Sequence, residues 1–288
     1  MTDYHITEHR DSKVCKAPCA SLPMFAYTSL NRCNVPAYIL GSHTYQQHPI
    51  ALSIDCVTAL HHDFFNALAN ITSKEVRALH FHQYMCSAFL LGKSDEAGFT
   101  PQTGSIKRDK ADYLRLLRGW MFNAEGVEAA VMKRWVESRF GLLTLNHNGL
   151  LNDPNCIINR AYQSDYVRGL YNSNALEAQL DLLYTYCQYE LQRILPLNTH
   201  YLLYRGVNHL EQHHKIGNIS DNQPLLLLNN LNSFTSDRDF SGTFGDVILE
   251  TQVPYSKILY FPELLNGVLK GENEYLVVGG IYQTTITR

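Results

Sequence analysis

The sequence predicts an α+β fold, with a helical first two-thirds packed on a β-rich last third. Three observations carry that prediction. Over about 55–91, 111–140 and 174–195, apolar residues recur three or four positions apart, which gives a helix one buried face. Beyond residue 200 the pattern changes to short apolar runs at 201–204, 225–228, 247–249, 257–261 and 275–278. Gly, Pro, Asn and Asp bound these runs, as they bound strands. No regular helices separate them, which argues against a doubly wound parallel sheet.

Taken in order, residues 1–50 carry little periodic signal, and Pro18, Pro23, Pro36 and Pro49 interrupt any long helix. They read as an extended arm that wraps the domain. Within it, His5-x-x-Glu8-His9 has the shape of an inverted zinc-protease motif. It lacks a helix to display it and reads as a solvated tail. From 55 to 91, Leu60, Phe64, Leu68 and Ile71 form one stripe, Thr72-x-x-Glu75 reads as a capping box and Gly92 as a stop. His61-His62 and His80-x-His82 read as surface side chains, because residues one or two apart on a helix do not face one another. Residues 93–108 are polar loop.

Two helices follow. The first, at 111–120, presents Leu114, Leu117 and Trp120; the second, at 125–140, presents Val127, Val131, Trp135 and Val136 and stops at Gly141. Both tryptophans read as packing anchors. After an Asn- and Gly-rich loop at 145–154, the strongest helical signal runs over 174–195. Asn174 and Glu177 cap it, and Pro196 stops it. Asn198-Thr199 is too short for a flexible linker. The expected organisation is an N-terminal arm (1–50), a helical region (51–200) and a β-rich core (201–288), folded as one integrated unit.

Composition narrows the function classes. With 288 residues the chain can bury a substantial core, and a formal net charge of −3 gives no reason to expect nucleic acid or an anionic membrane as partner. Seven cysteines are scattered without a Cys-x-x-Cys, and Cys15 and Cys19 are the one close pair. That pattern suits reduced thiols in a cytoplasmic protein better than a disulfide framework. The N-terminus lacks the apolar core of a signal peptide, and no apolar stretch is long enough to span a bilayer. A dehydrogenase-type Gly-x-Gly-x-x-Gly after an early strand is missing as well.

Three features of the last third bear chemistry. Leu203-Tyr204-Arg205-Gly206 ends a strand with an arginine, a fixed fork of donors suited to phosphate oxygens, followed by a glycine that lets a ligand approach the backbone. Asn232-Ser233-Phe234-Thr235-Ser236 carries hydroxyls along a short strand. Glu272-x-Glu274 stands at the mouth of the last strand, and if both residues lie in it their carboxylates share one face. Thirteen glutamates predict roughly 0.6 such pairs by chance, so the pair alone decides little. Taken singly, each feature is more often a salt bridge, a satisfied hydroxyl or a solvated strand end.

The order Arg205, Ser233, Glu272-x-Glu274 resembles the signature of arginine-directed mono-ADP-ribosyltransferases. Longer blocks resemble one family in particular, the dinitrogenase reductase ADP-ribosyltransferases. They are Tyr113-Leu-Arg-Leu-Leu-Arg-Gly-Trp120, Trp135-Val-Glu-Ser-Arg-Phe-Gly-Leu142, Leu180-Asp-Leu-Leu-Tyr-Thr-Tyr-Cys-Gln188, Leu203-Tyr-Arg-Gly-Val-Asn208, Ser233-Phe-Thr-Ser-Asp-Arg-Asp239, Phe244-Gly-Asp-Val-Ile-Leu-Glu250 and Lys270-Gly-Glu-Asn-Glu274. The likeness is strong over about 110–288 and weak before it. The middle motif departs from the Ser-Thr-Ser of the wider superfamily, since Phe234 stands at its second position.

The resemblance implies a split β core of two packed sheets and NAD consumed as substrate, with no metal. In such enzymes the second glutamate, here Glu274, stabilises an oxocarbenium-like ribose, and Glu272 takes the proton of an acceptor arginine. Ser233 would orient Glu274, Arg205 would meet NAD phosphate, and the Gly206 backbone would approach the nicotinamide amide. Arg238 is implied as a phosphate contact, with an exposed loop arginine as the equal alternative. Phe244 is implied as a nicotinamide contact, although its apolar neighbours favour the core. The implied protein substrate is dinitrogenase reductase, inactivated reversibly, with a PII-type signalling protein as regulator. An arginine transferase with a different target, or a module that senses NAD without turnover, fits the same residues less well.

Overall fold

In a computed structural model, residues 20–92, 112–170, 175–194, 199–269 and 273–287 are described. Short helical turns α1 (Ala37–Leu40), α2 (His43–Gln47) and α3 (Val57–Leu60) lead into α4 (His62–Ala69) and α5 (Lys74–Ala88). Then come α6 (Tyr113–Phe122) and α7 (Val127–Phe140). α3 to α7 lie where the apolar period places helices, whereas α1 and α2 are single turns within the stretch expected to be an extended arm. α8 (Ile157–Leu170) was not foreseen: only Tyr162 and Gly169 are buried along it, too few to write a stripe into the sequence. α9 (Leu176–Ile194) follows, and its expected Asn174 cap lies outside the described residues, as do His5, Glu8, His9, Cys15 and Cys19. At α5 the cap is Ser73 rather than Thr72, its hydroxyl accepting from the Val76 N–H at 3.2 Å.

Buried charge ties the helices together. Arg77 on α5 grips Glu190 on α9 through Nε at 2.6 Å and Nη2 at 2.7 Å, with both side chains shielded from water. Arg139 on α7 holds Asp181 on α9 in the same forked manner, at 2.7 and 2.9 Å. Forked pairing satisfies several donors at once, which buried ions require.

The strands are β1 (His200–Val207), β2 (His214–Ser220), β3 (Gln223–Phe234), β4 (Val247–Pro254), β5 (Ile258–Tyr260) and β6 (Tyr275–Thr287), with the one-turn helix α10 (Arg238–Ser241) between β3 and β4. They form one six-stranded antiparallel sheet in the order β1-β4-β6-β3-β2, with β5 also on β6. The expectation of two packed sheets is therefore corrected to one. The reason lies in β6, whose 13 residues are shared among three partners. Residues from Tyr275 to Gln283 pair with β3, Leu276 and Val277 also pair with β5, and Thr284 to Thr287 pair with β4. One long strand thus joins what shorter strands would leave separate.

Two irregularities shape the functional end. Between Leu228 and Leu231 β3 slips its register against β6, and the freed amides reach the helical part. Asn229 Oδ1 accepts from the Leu145 N–H at 2.9 Å, and Asn230 Nδ2 donates to the Lys133 carbonyl at 2.8 Å. At the far end, Tyr204 of β1 and Thr235 exchange two backbone hydrogen bonds of 2.8 Å. That bridge turns the path β1-β4-β6-β3 back on itself. One hydrophobic cluster, with Leu40, Trp135, Leu180, Leu276 and Tyr282 among its members, runs through the arm, the helices and the sheet. Among the described residues, no helix is long and apolar enough to cross a membrane.

Candidate active site

The Tyr204–Thr235 bridge sets Arg205, one residue along β1, beside Ser233 at the end of β3. Extending the β3–β6 register one step past Phe234–Tyr275 sets Glu274 opposite Thr235. Three residues spread over seventy positions of chain are thereby brought to one place by strand pairing.

Arg205 is anchored by Nη1, which donates to the Ser233 carbonyl at 2.8 Å. Its Nε is enclosed and has no hydrogen-bond partner. Burial pushes the guanidinium pKa down, opposed first by Glu274 and then by Glu125, and arginine retains its proton. An orphaned, enclosed donor of this kind is costly unless an acceptor reaches it. An acceptor-rich ligand such as a diphosphate fits that need.

Ser233 and Glu274 meet at a residue the periodicity treats as core. The indole Nε1 of Trp120, at the end of α6, donates to Ser233 Oγ at 2.9 Å and to Glu274 Oε1 at 3.1 Å. Trp120 is 2% exposed, so it packs as expected and also serves the site. A signal existed: a buried indole N–H needs an acceptor, so a core tryptophan points to a polar group nearby.

Two cavities of about 340 Å³ each share Trp120, Ala124, Arg205, Gly206 and Ser233 as a common wall. One adds Thr235, Phe240, Phe244, Asn273 and Glu274, a carboxylate set among aromatic rings. The other adds Glu125, Lys133, His209, His213, His214 and Asn232, a polar, partly cationic space. There Lys133 Nζ donates to Glu125 at 3.0 Å and to the Asn146 carbonyl at 3.1 Å; burial lowers its pKa, with Glu125 opposing. Burial, with Arg205 adding to it, brings His213 down to about 4, so it is neutral at neutral pH.

The remaining expected residues divide. Gly206 lines both cavities, but its missing side chain admits protein: a Cβ there would overlap the Ser241 carbonyl oxygen of α10. Phe244 is 57% exposed at the cavity rim, edge-on to Phe240 at 5.3 Å, so the core placement its neighbours suggested is corrected. Its loop passes over the sheet end instead of into the interior. Arg238 is exposed, donates to Thr287 Oγ1 at 3.2 Å and lines neither cavity, because α10 turns it toward the end of β6. Glu272 lies outside the described residues. Among the described residues, no three His, Cys, Asp or Glu side chains are grouped as a metal would require.

Comparison with known proteins adds to this geometry. A family model described as dinitrogenase reductase ADP-ribosyltransferase matches residues 30–286. The chain is similar to the NAD(+)–dinitrogen-reductase ADP-D-ribosyltransferase of Rhodospirillum rubrum. The two are 38% identical over 256 residues, 88% of this chain and 93% of that protein. No solved structure gives a significant match.

Proposed function

The chain belongs to the dinitrogenase reductase ADP-ribosyltransferase family, and from that membership we propose how its pocket works. The enzyme ADP-ribosylates dinitrogenase reductase with NAD as donor, and the modification regulates nitrogen fixation. Our reading places the nicotinamide ribose in the cavity that holds Glu274 and Phe244, the diphosphate against Arg205, and the adenosine end in the neighbouring polar cavity. The observation that carries this is the convergence of Arg205, Ser233 and Glu274 on adjoining cavities, with the Arg205 Nε unpaired.

The bond between nicotinamide and ribose breaks with its electron pair leaving on nicotinamide. Positive charge builds on the sugar, and the Glu274 carboxylate stabilises it. The acceptor is an arginine of the target: a guanidinium nitrogen bonds to the ribose carbon and gives up a proton. Glu272 takes that proton, which makes a protonated guanidinium a competent nucleophile. On this division of labour, Glu272→Gln loses arginine transfer while slow NAD hydrolysis continues. Simultaneous loss of both activities would sink it.

Labelled NAD with purified dinitrogenase reductase tests the whole reading, with label expected on one arginine and loss of target activity. Label on another residue type overturns the acceptor assignment. Regulation by a PII-type signalling protein belongs to the same proposal, and a transfer rate unmoved by adding that protein would remove it. So does a cytoplasmic location, in keeping with the free thiols of Cys33, Cys56, Cys86, Cys156 and Cys187. Recovery of the enzyme outside the soluble cytoplasmic fraction would contradict it.

A further inference from the structure

We propose that Trp120 is a positioning residue for ADP-ribose transfer: its single indole N–H, shared between Ser233 and Glu274, sets the carboxylate against the NAD ribose. The inference rests on the reading of Glu274 given above. It assigns to the helical region a part in the chemistry that the strand motifs do not contain.

An indole N–H donates and never accepts, so its preference for acceptors cannot reverse. Here one hydrogen serves two acceptors, at 2.9 Å and 3.1 Å, which ties the hydroxyl and the carboxylate to a common point. That point is rigid. Trp120 is nearly inaccessible, and α6 around it buries Leu114, Leu116 and Leu117. Gly119 lets α7 approach so closely that a Cβ there would collide with Glu128. The Lys133 ammonium lies over the indole ring at 5.9 Å. Glu274, by contrast, sits one residue before β6 begins, beside the exposed Asn273. The strand ladder does not constrain a three-torsion side chain at such an entry, whereas a packed indole with two torsions does. Ser233 gains as well: with the indole hydrogen on its oxygen, its own hydroxyl hydrogen remains available to donate.

Trp120→Phe keeps most of the buried ring and removes the donor. Catalysis is steep in position, so kcat for both NAD cleavage and transfer is expected to fall roughly 10- to 100-fold. The Kd for NAD by calorimetry should stay within about threefold, because the donor touches the carboxylate and not the cofactor-like substrate. In a Glu274→Gln background, adding Trp120→Phe should cause no comparable further loss. Wild-type kcat in Trp120→Phe, or an equal loss in both backgrounds, overturns the proposal.

A second measurement leaves Trp120 in place. The chain has two tryptophans, so its amide spectrum holds two indole N–H signals. Glu274→Gln and Ser233→Ala should each shift the Trp120 signal, assigned by its contacts within α6. The Trp135 signal should stay, since Trp135 Nε1 donates to Asp181 at 2.7 Å, in a different environment. A Trp120 signal unmoved by either change refutes the shared bond. The two levels of failure separate. An active Glu274→Gln removes the catalytic reading and takes this inference with it, whereas an inactive Glu274→Gln beside a fully active Trp120→Phe removes this inference alone.

Discussion

Replacing Glu274 with glutamine separates charge from shape. The amide oxygen can still accept from Trp120, 3.1 Å from Oε1 in the native site, and the side-chain volume is nearly unchanged. Stability should therefore move by no more than about 1 kcal/mol. On the proposed placement, one negative charge beside the ribose is lost. Taking an effective dielectric of about 20 for a half-buried site and a separation of about 4 Å, a unit charge pair is worth ~4 kcal/mol. At 1.36 kcal/mol per decade this corresponds to a roughly 10³-fold fall in kcat, close to what removal of one preorganised electrostatic group causes elsewhere. NAD binding should move the other way or not at all. Glu274 is the principal carboxylate opposing the burial of Arg205, and neutralising it leaves more of the guanidinium charge for the diphosphate. Nicotinamide release from labelled NAD, with and without dinitrogenase reductase, reads kcat, and calorimetry reads affinity. A kcat within tenfold of the native enzyme, or a loss confined to affinity, would refute the reasoning.

Three further outcomes follow from the packing. Gly206→Ala drives a Cβ into the Ser241 carbonyl oxygen, so the 238–245 segment has to shift. The expected result is a destabilisation of about 1–3 kcal/mol together with weaker NAD binding, and native-like melting with native affinity would contradict it. Arg77→Met leaves Glu190 buried without its cation and should cost about 3–5 kcal/mol in urea unfolding, most of it recovered by adding Glu190→Leu. Lys257 is fully buried, donates to the Gly279 carbonyl at 2.8 Å and lies 4.7 Å from the centre of the Tyr282 ring; burial pushes its pKa down to about 7. The unfolded chain holds that proton up to about 10.4, so between these values the unfolded state carries more protons and stability rises with pH. Below about 7 both states are protonated and this contribution is flat. Lys257→Met should therefore stabilise the protein more at pH 6 than at pH 9, by roughly 2–3 kcal/mol, and parallel pH curves for the two proteins would exclude a buried titrating lysine.

How much was legible in advance depends on how local each signal is. α6, α7 and α9 could be read because each buries a periodic face, and the strand runs because each is short, apolar and bounded by turn formers. α8 could not, since a helix that buries Tyr162 and Gly169 alone leaves no stripe. Arg205, Ser233 and Glu274 were readable as chemistry-bearing types at strand ends in a recognisable order. Phe244 and Arg238 were not settled by that order, because loop sequence does not say which way a side chain turns. The count of sheets was equally out of reach, since it hinges on β6 pairing with β3, β4 and β5 together.

By itself, then, the sequence determined the fold class and most helices, which follow from local period, and it marked Arg205, Ser233 and Glu274 as candidates through their order and its resemblance to a known family. Tertiary structure decided the single sheet, the direction of Arg238 and the double duty of Trp120. An indole that meets acceptors 113 and 154 residues away does so only because α6 is packed against the ends of β3 and β6. Pairings over such separations depend on how elements pack, and no local pattern records them.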